Sequence, residues 1–121
     1  MEIGKIGWLD MTVDDASGIR DFYKAVTGWQ TEVISMGDYD DYVMKTPAEG
    51  EGVAGICHAR GSNADLPPGW LIYIVVEDVE KSATSCKALG GTVLVEPRDL
   101  SGGRFCVIED PSGAPAALYQ P

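Results

Sequence analysis

The chain repeats itself. Gly7-Trp8-Leu9 recurs as Gly69-Trp70-Leu71 at an offset of 62, and Gly28 recurs as Gly90 at the same offset. A V-x-D element, Val13 to Asp15, recurs as Val76 to Asp78 at an offset of 63, which leaves one residue of slack within a helix. Each copy is about 55 residues long, too short to bury a sheet face alone, so the copies must pack together or with a second chain.

Periodicity gives both copies the same order of elements. Ile6 to Val13 alternates as a strand, with Trp8, Asp10 and Thr12 on one face and Leu9, Met11 and Val13 on the other. Asp14 and Asp15 supply a helix N-cap. Ile19, Phe22, Tyr23 and Val26 then fall on one helical face, and Gly28 stands where a left-handed terminal residue is wanted. Strands are expected over 30–35, 40–46 and 53–58, with Gly37-Asp38 as turn chemistry. Residues 60–68 are polar, end in Pro67-Pro68 and read as a linker between modules 1–59 and 69–121. The order then recurs: a strand from Trp70, a helix capped by Asp78 with Val79, Ala83, Cys86 and Leu89 on one face, and strands over 92–96, 103–109 and 114–119. The expected fold class is α+β, two βαβββ modules in one domain.

Composition narrows the function classes. Apolar residues make up 45% of the 121, against the profile of a disordered tail. Nine Lys and Arg against nineteen Asp and Glu give a net charge of -10, so nucleic acid and anionic membranes are poor partners. No apolar run approaches the roughly 20 residues of a membrane-spanning helix, and Met1-Glu2 leads directly into a patterned segment. Cys57, Cys86 and Cys106 are odd in number and lack CxxC spacing, which suits reduced thiols in a cytoplasm.

The V-x-D helix opening, the Phe22-Tyr23 pair and the Gly28-Trp29 exit resemble the vicinal oxygen chelate superfamily, the glyoxalase, bleomycin-resistance and extradiol-dioxygenase group. The second half resembles it more closely, through Trp70-x-x-Tyr73, Val76-x-Asp78, Leu89-Gly90-Gly91, Gly103-Arg104 and Asp110-Pro-Ser-Gly113. The resemblance implies curved sheets around a cavity, a small-molecule ligand and, in metal-dependent members, one divalent ion held by His, Gln or Glu. Counted residue by residue, the ligand positions it implies fall on Trp8, Leu71, Ala117 and the stretch 54–56. None offers a donor side chain, so neither metal nor cofactor is expected.

Other chemistry is thinly supported. His58, the only histidine, adjoins Cys57, but neighbours on a strand point to opposite faces and cannot pair as base and nucleophile. The acidic run Asp38, Asp40, Asp41 lacks the glycine and terminal Glu of an EF-hand loop and reads as a solvated turn. Asp10 is the residue of interest. Mid-strand beside Trp8, its carboxylate is costly to desolvate, so it is either ion-paired, with Arg104 as a candidate, or a general base or polar anchor.

Tyr73 and Leu71 alternate onto the corresponding face of the second module, while Trp70 falls on the helix side. Tyr42, Met44 and Cys106 are further candidates for the cavity wall. The expected ligand-binding set is Trp8, Asp10, Leu71, Tyr73, Arg104 and Cys106. The expected function is metal-free binding of a small molecule, of a sequestering or resistance type. The alternative is a glyoxalase-like or dioxygenase-like enzyme with Asp10 as base, or with metal ligands outside this count. A homodimer is expected, because half-size modules leave sheet edges to cover.

Overall fold

A computed structural model describes residues 1–121. The repeat becomes β1 (Ile6–Val13), α1 (Ala16–Thr27), β2 (Gln30–Ser35), β3 (Asp40–Lys45) and β4 (Gly52–His58), then β5 (Trp70–Val75), α2 (Val79–Ala88), β6 (Thr92–Leu100), β7 (Gly103–Glu109) and β8 (Pro115–Gln120). The class is α+β, βαβββ twice over. By contact the chain divides into a first unit, Leu9–Trp70, and a second, Leu71–Pro121 with Met1–Trp8. The amino-terminal segment lies in the second unit because Gly4 N–H donates to the Val75 carbonyl at 2.7 Å and Val75 N–H to that of Lys5 at 2.9 Å.

The two helices start for the same reason. Asp15 accepts the Gly18 N–H at 3.0 Å and Asp78 accepts the Lys81 N–H at 3.1 Å, each satisfying a donor that the first turn leaves open. α1 ends on Gly28 at φ 81°, where any side chain would be strained.

In the first unit the strands lie in the order β2-β3-β4-β1, with β1 parallel to β4 and the others antiparallel. In the second the order is β5-β8-β7-β6, with β5 parallel to β8. Each helix covers one face of its own four strands. Under α1 lie Ala16, Tyr42, Met44 and Ile56, and under α2 lie Val79, Ala83, Cys106 and Leu118.

The helical stripes are less buried than their periodicity suggests. Ile19 and Tyr23 pack on the first core, but Phe22 and Val26 stay 54% and 64% exposed. Leu89, at the end of α2, is likewise exposed. No helix is long and apolar enough to cross a membrane.

Candidate functional site

Strand register sorts the candidate residues by face. In the first unit Asp10 lies opposite Gly55 and Thr12 opposite Cys57, while Met11 pairs with Ile56 and Val13 with His58. Ile56 belongs to the core under α1, so Asp10, Thr12, Gly55 and Cys57 occupy the face turned away from that helix. Asp41 and Val43 of β3 alternate onto the same face, since Tyr42 pairs with Ile56 and Val43 with Gly55.

The result is a polar group on an otherwise apolar scaffold. Thr12 and Asp41 are 5% and 6% exposed, and Asp10 and Cys57 are half-buried. Asp41 Oδ1 accepts the His58 backbone N–H at 2.8 Å, which ties β3 to the end of β4. Its carboxylate also accepts the Cys57 thiol proton. Burial above all, then the negative charges of Asp10 and Asp41, push the Cys57 thiol up to about 12. At neutral pH it is therefore a protonated donor and not a nucleophile. Gly55, opposite Asp10 in the register, contributes no side chain to that face.

His58 borders this group: besides its backbone N–H, its Nδ1 stands 3.7 Å from Asp41 Oδ1. Its imidazole lies on the α1 side, with ring centroids 5.9 Å from Tyr39 and 6.2 Å from Tyr42. Its Nδ1 donates to the Asp40 carbonyl at 2.6 Å, which fixes the ring. Tyr42 and Met44, considered above as cavity wall, lie under α1 as well. Trp70 packs against Tyr23 and Trp29 and remains 37% exposed.

In the second unit Tyr73 pairs with Ala117, and Ala117 in turn with Val107. With Phe105 and Leu71 these make the face turned away from α2, and every one of them is buried. Tyr73 stacks on Phe105 at 6.5 Å with 27° between the rings, and the Arg98 guanidinium lies 5.3 Å from the Phe105 ring. Arg104 and Cys106 lie on the opposite face. Arg104 bonds Glu80 of α2 at 2.7 Å and Asp99 at 3.0 Å. It borders an open depression of about 500 Å³ at the β6–β7 hairpin. Cys106 is fully buried beneath α2, where desolvation, followed by the neighbouring Cys86, pushes its thiol up to about 11.

Of the residues singled out from sequence, then, Leu71 and Tyr73 share one face of the second unit, while Arg104 and Cys106 share the other. Asp10 stands in the first unit with Thr12, Asp41 and Cys57. Trp8 precedes Asp10 by two on the same strand, half-buried and assigned to the second unit. Asp41 and Thr12 are the residues that sequence reasoning passed over. The alternation of Asp41, Val43 and Lys45 along β3 is the signal that places Asp41 on this face.

The Glyoxalase/Bleomycin resistance protein/Dioxygenase superfamily profile matches residues 5–118. The chain belongs to this family. It is 31% identical over 122 residues to a Mycobacterium tuberculosis protein named "Putative glyoxylase CFP32", a match covering 99% of this chain and 45% of that protein. It thus spans less than half the length of that curated relative. Among solved structures it is similar to methylmalonyl-CoA epimerase in complex with methylmalonyl-CoA (TM-score 0.57, 21% identity, 98% of this chain and 95% of that one). It is also similar to the Mn(II)-bound glyoxalase from Novosphingobium aromaticivorans (TM-score 0.59, 20% identity, 98% of this chain and 39% of that one). At such identities the two structures speak for the fold alone.

The positions that the sequence count gives to a divalent ion's ligands hold no donor side chain. Trp8 and the buried Leu71 and Ala117 stand at the implied ligand positions, and residues 54–56 are Ala-Gly-Ile. No three His, Cys, Asp or Glu side chains are grouped so as to hold a metal. A divalent ion at those positions would have no protein donors.

Proposed function

We propose that the protein binds a small organic molecule without the aid of a divalent ion, with Asp10 as the polar anchor. The observation that carries this reading is the group of Asp10, Thr12, Asp41 and Cys57 on the strand face away from α1; the metal-ligand positions counted from the family resemblance, which hold Trp, Leu and Ala, support it. An anchoring carboxylate with hydroxyl and thiol neighbours, set among apolar strands, has the make-up of a small-molecule site. Asp41 is engaged with the His58 N–H and the Cys57 thiol, and so serves to hold the strands and the thiol in place. Asp10, half-buried opposite Gly55, is the carboxylate that the reading assigns to the ligand. Sequestering a ligand needs no more than this. Were a bound molecule to carry an acidic C–H against Asp10, the same carboxylate would act as base, because a thiol pushed up to about 12 does not. Three free cysteines accord with a reducing cytosol as the working compartment.

A thermal-shift screen of hydrophobic small molecules in EDTA tests the reading. Ligands are expected to raise the melting temperature in EDTA as much as in buffer. Asp10→Asn should weaken their binding by about tenfold or more, the loss of one charge-assisted hydrogen bond. Binding that requires added manganese, nickel or zinc, or that is indifferent to Asp10→Asn, overturns it.

A further inference from the structure

β2 stands at the end of the first unit's strand order, and the turn Gly37-Asp38 follows it. Met36 N–H donates to the Tyr39 carbonyl at 2.9 Å and closes that turn. Antiparallel pairing alternates from there. The main-chain groups of Ile34, Glu32 and Gln30 point at their partners Asp41, Val43 and Lys45, and those of Thr31, Val33 and Ser35 point out of the sheet. No proline and no slip of register interrupts this row between Gln30 and Ser35. Its side chains do not screen it: Val33 is 56% and Ile34 37% exposed, on opposite faces, and Glu32, the strand's one charge, bonds Lys45 of β3. The outermost strand of the second unit is built otherwise. β6 carries Pro97, which has no N–H to offer, and its pairing with β7 slips between Val93 and Val95 and again between Val95 and Arg98. A proline and bulges are devices that keep a sheet edge from taking a further strand, and β2 has neither.

We infer that β2 receives an extended segment of another protein, which adds to the sheet beside it and alternates apolar with basic residues. The backbone sets the class of partner. Donors and acceptors that recur at the strand repeat are matched by another extended main chain, as in β-strand addition. The side chains set its composition. Residues of the added strand that fall beside Val33 meet an apolar surface, and those that fall beside Glu32 meet a carboxylate. Asp38 and Asp40 are exposed at the turn end of the same edge. Glu32 is bonded to Lys45, and Asp38 to Arg60 at 3.1 Å, but the chain as a whole bears a charge of -10 and draws basic segments toward it. A second copy would bring the same -10 to the edge, so the charge that favours a basic segment opposes self-pairing. The edge is separate from the group around Asp10, and the inference does not rest on the ligand-binding reading.

Fluorescence anisotropy of a labelled peptide, Lys-Val-Lys-Val-Lys-Val-Lys with both ends blocked, tests the edge. It should bind saturably at about 100 µM or below in about 0.1 M salt. N-methylation of its valines removes the N–H groups that face β2 and should weaken binding by about tenfold or more. N-methylation of its lysines, whose N–H groups face away from β2, should not. Val33→Pro removes an outward N–H and leaves the ladder to β3 in place. It should keep the native circular dichroism and weaken the peptide to the same degree. Ser35→Pro makes the same change two residues along. Leu94→Ser, at an exposed position of β6, should leave binding unchanged. Binding that survives both proline variants, or that N-methylation of the valines leaves unchanged, is attraction between charges alone and overturns the inference. So do the absence of binding and a self-assembly, seen by light scattering, that Val33→Pro breaks.

Discussion

The two units repeat one architecture and differ in what they put on the face away from the helix. In the first unit that face carries Asp10, Thr12, Asp41 and Cys57, held by a hydrogen bond from the His58 main chain and by a thiol that stays protonated. In the second it carries Leu71, Tyr73, Phe105, Val107 and Ala117, all buried. Beneath the helices the contrast vanishes: both cores are small and apolar, with Ala16 buried in one and Ala83 in the other. Helix caps and the helix-side core carry the fold. The other face is therefore free to diverge, and that is where the two units differ in chemistry.

The sharpest way to break this contrast is to remove the packing on which the apolar face depends. Phe105→Ala deletes a ring that is 2% exposed and leaves Tyr73 without its stacking partner. A loss of about 3–5 kcal/mol in chemical denaturation is expected, since the space cannot fully collapse. A loss below about 1 kcal/mol would show that this face is loosely packed and open to a ligand in its own right.

The corresponding change on the polar face should cost less. Asp41→Ala strands the His58 N–H and the Cys57 thiol in a site where Asp41 is 6% exposed, for an expected loss of about 2 kcal/mol. Asp41→Asn keeps an acceptor for the N–H and should recover most of it. If both variants were neutral, Asp41 would not be the tie between β3 and β4.

Most of the fold was legible because its signals are local. Asp15, Asp78 and Gly28 act within one turn of their own helices, and the repeat displays them twice. The facing of the second unit's strands was less accessible. Along β7 both faces are apolar, Phe105 and Val107 on one and Cys106 and Ile108 on the other, so alternation alone cannot say which lies beneath the helix. Cys106 was accordingly grouped with the cavity wall, although it packs under α2. Asp41 was hidden for another reason. In the run with Asp38 and Asp40 it resembles a solvated turn, and the N–H that makes its burial tolerable comes from His58, 17 residues away. The helical stripe misled in the other direction: Phe22 and Val26 have the spacing of core residues but lie beyond the strip of sheet that α1 covers.

The mildest test concerns the thiol at the centre of the polar face. The folded protein holds Cys57 protonated up to about 12, against 9.0 for an ordinary thiol. Below the ordinary value the thiol is protonated whether the chain is folded or not, and its pH has no effect on stability. As pH rises past that value the unfolded chain releases the proton while the folded chain keeps it, so the unfolded state gains and stability falls. One such proton is worth about 1.3 kcal/mol at a pH of about 10 relative to about 8. Cys106, held up to about 11 by burial under α2, adds a similar loss from the other unit. Cys57→Ala should therefore remove about half of the alkaline destabilisation that the two thiols share, and Cys106→Ala the other half. Denaturation midpoints at the two pH values, for each variant beside the wild type, measure this. An alkaline loss unchanged by Cys57→Ala would mean that neither burial nor the charges of Asp10 and Asp41 hold that thiol protonated in the folded chain.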